Sequence, residues 1–124
     1  MFQILIAEDD KNTRKLMEAV LKCNGFNPIP ASSGEEALKL LDRHHIDLAV
    51  LDIMMPGMDG YELTRHLRSM DYNLPILMVT AKVLPEDKRK GFMAGTDDYM
   101  TKPVDEEEMV LRIRALLRRA QIAS

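Results

Sequence analysis

Leu48-Ala49-Val50-Leu51-Asp52-Ile53-Met54-Met55-Pro56-Gly57-Met58-Asp59-Gly60 is the stretch on which the fold turns. Its four leading apolar residues, with no polar alternation, read as a strand covered on both faces, as strands of a parallel sheet are. The carboxylate of Asp52 closes the run. A segment of helical period follows over residues 59–70, with Leu63 and Leu67 inward.

The same alternation extends in both directions. Apolar runs of strand length occupy residues 4–7, 26–31 and 76–79, with a weaker one at 98–100. Leu16, Met17, Val20 and Leu21 recur at helical spacing after the first run. Ser33-Gly34-Glu35-Glu36 has the form of a capping box opening a second helix, which continues through Ala37, Leu38 and Leu41. Pro85 suits the first turn of a fourth helix that ends near Gly95. The fifth starts at Asp105 with acids in its first turn and buries Met109, Val110, Ile113, Leu116 and Leu117. It closes on Arg118 and Arg119, so both ends match the helix dipole.

Five strands alternating with five helices predict an α/β fold, a doubly wound five-stranded parallel sheet, because parallel neighbours need right-handed crossover helices. Five strands favour the flavodoxin-like order 2-1-3-4-5, whose switch point lies between the first and third strands. The sequence fills that crevice with acid. Glu8, Asp9 and Asp10 end the first strand and Asp52 ends the third, while Thr80 and Lys102 follow the fourth and fifth. Crowded carboxylates repel one another and lose solvation, so a hard divalent cation with oxygen preference, Mg²⁺ or Mn²⁺, is expected to offset the cost. Asp10 reads better as the cap of the first helix. Taken singly, Asp52 could be loop chemistry and Lys102 a solvated charge; their coincidence on one sheet edge sets them apart.

These residues carry a resemblance. Residues 4–10, 51–60, 79–82 (Val-Thr-Ala-Lys) and 95–103 (Gly-Thr-Asp-Asp-Tyr-Met-Thr-Lys-Pro) resemble the receiver domain of two-component response regulators over nearly the whole chain. The resemblance implies that Asp52 is the phospho-accepting carboxylate and that Glu8 and Asp9 are the acidic pair. It also implies that the metal is held by Asp9, Asp52 and the main-chain carbonyl of Met54, that Thr80 and Lys102 contact the phosphoryl group, and that the Lys102–Pro103 bond is cis. Thr80 and Tyr99 would form a switch, with Tyr99 moving from an exposed to a buried position. Met54 and Lys82 stand where the family tunes hydrolysis of the acyl phosphate, and slow self-dephosphorylation is expected because Met54 cannot orient a water.

Residues 88–119 further resemble the OmpR/PhoB subfamily. That likeness implies a homodimer of the phosphorylated form, with Lys88, Asp97, Asp98, Glu108 and Arg112 as intersubunit charges and Phe92 and Val110 as apolar contacts. A two-fold interface must be self-complementary, and mixed charges on one face meet that requirement. The implied partners are a sensor histidine kinase and, through a C-terminal winged-helix domain that the chain does not contain, DNA. The expected division is a receiver domain over residues 1–120 and the start of a linker at 121–124.

Composition bounds the alternatives. With 124 residues there is room for one domain, and 46% apolar content suffices for a core without metal or disulfide. A net charge of −3, no Trp and 5% aromatics argue against a nucleic-acid surface in this chain. The lone Cys23 is expected to be partly buried in a reduced compartment, and most of the ten Met residues to be core. The apolar run at residues 4–7 is too short for a signal peptide or a membrane span, so a cytoplasmic location without membrane contact is expected. His44 and His45 fall at the end of the second helix, away from the crevice. A phosphatase of the haloacid dehalogenase type would want a second Asp where Met54 stands, and a flavin binder would not place Glu8-Asp9-Asp10 against a phosphate. A stand-alone receiver acting through protein contacts, rather than an enzyme, is the nearer alternative.

Overall fold

The computed structural model describes residues 1–70 and 72–123. Its elements alternate along the chain: β1 (Gln3–Ala7), α1 (Lys11–Cys23), β2 (Asn27–Ala31), α2 (Gly34–Arg43), β3 (Leu48–Leu51), α3 (Gly60–Ser69), β4 (Ile76–Thr80), α4 (Pro85–Ala94), β5 (Asp98–Thr101) and α5 (Glu106–Ala123). The strands pair in parallel in the order β2-β1-β3-β4-β5, as the alternation predicts. β2 carries Pro28 and Pro30, which cannot donate to a ladder, and it lies at the sheet edge where only one neighbour must be satisfied.

Side-chain alternation divides the strands between two cores. Ile4, Ile6, Leu48, Val50, Leu77, Val79 and Met100 pack with α1 and α5. Leu5, Ala7, Ala49, Leu51 and Ile76 face the other way, against α2 and α3. A smaller cluster of Ile53, Tyr61, Met78, Ala94 and Tyr99 seats α4.

Four helices open on a side-chain cap. Asp10 accepts from Thr13 N, Ser33 from Glu36 N, Asp59 from Glu62 N and Asp105 from Glu108 N. Each such cap contributes about 1 kcal/mol. The reciprocal half of the expected capping box is displaced by one residue: Glu36 accepts from Ser32 N, not from Ser33 N. α4 has no side-chain cap and begins on Pro85.

Other expectations are corrected. α5 runs on to Ala123, so Arg118 and Arg119 lie inside the helix rather than at its end; Ser124 lies outside the described residues. Cys23 is exposed and lines a groove of about 520 Å³ between α1 and α5. Five methionines are buried (Met17, Met55, Met78, Met100 and Met109), whereas Met1, Met54, Met70 and Met93 are exposed. No helix among the described residues is long and apolar enough to cross a membrane.

One glycine brings α3 onto the end of β3. Gly60 N donates to Ile53 O at 3.0 Å, and a Cβ built at position 60 would lie 2.3 Å from the carbonyl oxygen of Asp52. That neighbour is backbone and cannot swing aside. Gly60→Ala is expected to lower stability in chemical denaturation by about 2 to 3 kcal/mol; an unchanged midpoint would show that the loop yields more easily than its packing implies.

Candidate functional site

The sheet places the site by carrying its ladder one step past the strands. Ala7 pairs with Leu51, and Asp52 N donates to Ala7 O at 2.9 Å, which sets Glu8 and Asp52 side by side at the switch point. Lys102 N donates to Thr80 O at 2.8 Å and brings the end of β5 to the same edge. Glu8, Asp52 and Thr80 are buried, at 1%, 4% and 0% exposure, whereas Asp9 is exposed. Oxygens of Glu8, Asp9 and Asp52 all lie within 4.8 Å of one another.

Lys102 ties the cluster together. Its Nζ donates to Glu8 Oε1 and, at 2.8 Å, to Asp52 Oδ2. The remaining oxygens are also engaged: Asp52 Oδ1 accepts from Met54 N at 3.2 Å and Glu8 Oε2 from Asp10 N at 3.1 Å. Burial pushes the Glu8 carboxyl up to about 7, against the opposing pull of the Lys102 hydrogen bond. Burial alone would lower the Lys102 ammonium, but its hydrogen bonds to Asp52 and Glu8 outweigh that and hold it above its usual value. The Lys102–Pro103 peptide is cis.

Around this cluster, Thr80 Oγ1 accepts from Lys82 N at 3.4 Å. The Tyr99 ring is buried and its hydroxyl donates to Lys82 O at 2.8 Å. Met54 is 55% exposed beside Asp52. His45 pairs with Asp47 at 2.9 Å, where Asp47 also accepts from Gln3 N; this is the N-terminal end of the sheet, remote from the carboxylates.

The residues expected at a subunit interface divide into several groups. Lys88 is exposed, and Phe92 is exposed with its ring 6.5 Å from that of Tyr99. Asp98 and Glu108 both accept from Arg112 within the chain, each at 3.0 Å. Asp97 is taken by Arg68 at 2.9 Å and by Ile76 N at 2.8 Å. Val110 is a correction: it is buried in the core with α1 and β1, and the exposed apolar residue beside it is Leu111.

Three residues near the site escaped the sequence reading. Gly60 lets the loop close, Tyr61 donates from α3 to Asp87 O in α4 at 3.0 Å, and Arg14 donates to the carbonyls of Glu8 and Asp9. Arg14 alone leaves a sequence signal, a cation in the first turn of a helix, where the dipole disfavours it.

Comparison with known proteins agrees with this geometry. Residues 4–114 match the response regulator receiver domain family. The chain belongs to this family. Over all 124 residues this receiver domain is 44% identical to the heme response regulator HssR of Staphylococcus aureus, and it spans 55% of that protein's length. It superposes on the receiver domain of Francisella response regulator 1452 with a TM-score of 0.92 and 34% identity, covering 97% of this chain and 99% of that one. A CheY-like receiver domain protein of Methanospirillum hungatei gives a TM-score of 0.94 at 26% identity, covering 100% and 99%. This chain is accordingly a receiver domain of a two-component response regulator.

The buried Glu8 makes stability depend on pH. Between its unfolded value near 4.5 and its folded value of about 7, the folded state holds more protons than the unfolded one, so stability falls as pH rises. In metal-free buffer Glu8→Gln is expected to be the more stable protein at pH 8, by on the order of 2 kcal/mol, with the gap closing as pH falls through 7 towards 4.5. A gap independent of pH in urea titrations would contradict this.

Proposed function

We propose that this receiver domain takes a phosphoryl group from the phosphohistidine of a sensor histidine kinase onto Asp52, in the cytoplasm, in a reaction that needs Mg²⁺ or Mn²⁺. The observation that carries the reading is the Asp52 carboxylate itself, buried at a strand end with one oxygen on Lys102 and the other on a backbone N–H. In the reaction an Asp52 oxygen forms a bond to phosphorus as the N–P bond breaks, and the imidazole leaves with its electron pair.

The donor set fits a hard divalent cation, because Glu8, Asp9 and Asp52 offer only carboxylate oxygens close together. Asp9, Asp52 and the Met54 carbonyl would hold the ion, with Glu8 beside them, and when bound it would neutralise charge on the phosphoryl oxygens. Lys102 is positioned to donate to the same oxygens, and the buried Thr80 hydroxyl, which accepts from the Lys82 amide, can donate its own proton to the product. Exposed Met54 offers no polar group to align an attacking water, which supports slow loss of the phosphoryl group.

The output reading places the response on the face formed by α4, β5 and α5. Tyr99 links β5 to the loop before α4, and the Asp98–Arg112–Glu108 network offers both charges to a two-fold partner. By similarity to HssR and to the OmpR/PhoB subfamily, the phosphorylated form would dimerise and act on transcription through a DNA-binding domain outside this chain. Signalling, not turnover of a substrate, is the role this supports.

Incubation with acetyl phosphate and Mg²⁺ should add one phosphate by intact mass, none without metal and none in Asp52→Ala. Lys102→Ala should slow the gain about 100-fold. Equal phosphorylation of Asp52→Ala would refute the assignment. Light scattering with beryllofluoride should report a dimer, and a persistent monomer would remove the dimer from the account.

A further inference from the structure

We infer that Arg14 is a positioning residue of the acidic site, which sets the Glu8 carboxylate by gripping the backbone of the loop between β1 and α1. Arg14 Nη1 donates to Glu8 O at 2.8 Å and to Asp9 O at 3.3 Å. In a trans peptide the C=O and N–H point in opposite directions. Holding the Asp9 carbonyl outward therefore turns the Asp10 N–H inward, where it donates to Glu8 Oε2 at 3.1 Å. That bond leaves Glu8 Oε1 for Lys102. One side chain outside the carboxylate cluster thus fixes the peptide planes that aim two of its members.

The placement runs against local electrostatics. Asp10 caps α1, so Arg14 sits in the first turn of α1, which contains no acid of its own. A cation there opposes the helix dipole, and the two carbonyls supply the compensating interaction. A guanidinium can serve both from one nitrogen, and its half-buried stem is held by the helix whose own N–H at Arg14 bonds Asp10 O.

The inference rests on the proposed metal site, and the two fail separately. Charge and positioning also predict opposite signs. As a bare charge, Arg14 would repel a divalent cation, and its removal would tighten binding; as a positioning residue, its removal weakens binding. Mg²⁺ would be titrated into wild type, Arg14→Met and Lys15→Met, followed by amide NMR, with hydrogen exchange of the Asp10 amide measured in metal-free protein. Lys15 is an exposed neighbour on the same helix and controls for charge. The expected result is Mg²⁺ affinity 10- to 100-fold weaker in Arg14→Met, the range for outer-sphere partners of metal ligands, with faster Asp10 exchange and little change in Lys15→Met. Unchanged or tighter binding in Arg14→Met overturns the positioning role alone. Absence of any Mg²⁺ response in wild type overturns the metal site and this role with it. If Arg14→Met does not fold, Arg14→Gln, whose amide is too short to reach both carbonyls, binding Mg²⁺ as wild type does overturns the proposal.

Discussion

Lys102 between Glu8 and Asp52 is the interaction on which the rest of the structure depends. Two buried carboxylates at one sheet edge would repel each other and lose hydration, and leaving such a group without its partner costs about 3 to 5 kcal/mol. The ammonium spans 94 residues to Glu8 and 50 to Asp52, so it joins β5 to β1 and β3 across the intervening β4. The parallel sheet, with these strand ends on one edge, brings the sequence-distant groups together. The fold therefore supplies the site with its geometry, and Lys102 makes its charge tolerable.

The face formed by α4 and β5 is held differently. α4 lacks a side-chain cap and exposes Val83 and Leu84 just before it and Phe92 and Met93 within it. It is fastened by two tyrosine hydroxyls, Tyr61 to Asp87 O and Tyr99 to Lys82 O, and by close packing of Gly91 on the Tyr99 ring. A segment secured by a few hydrogen bonds rather than a deep apolar face belongs to the low-stability end of a fold. Lys82 stands between Thr80 and Tyr99: its amide donates to Thr80 Oγ1 and its carbonyl accepts from the Tyr99 hydroxyl.

Much of this was legible in the sequence, because the deciding features are local or periodic. Apolar runs alternating with helical stretches led to the strand order, and the residues that end each run, Glu8, Asp52, Thr80 and Lys102, led to the site. What escaped was set by tertiary partners that spacing does not reveal. Val110 reads as buried by period and exposed by analogy, and only the packing of α5 on α1 decides. Asp97 looks like a free surface acid until Arg68 reaches it from α3. Cys23 ends α1 beside the buried Val20 and Leu21, and only the packing of α1 decides that it stays exposed. Gly60 and Arg14 act on backbone atoms, for which side-chain pattern carries little signal.

Asp52, not Asp9 or Glu8, is the reacting carboxylate in the proposal, and locating the phosphoryl group decides it. Borohydride reduction of the acetyl phosphate-treated protein, followed by peptide mass mapping, converts an aspartyl phosphate into homoserine at its own position. Conversion at Asp52 alone is expected. Conversion at Asp9, or a phosphate retained on His45 with Asp52 intact, would contradict it.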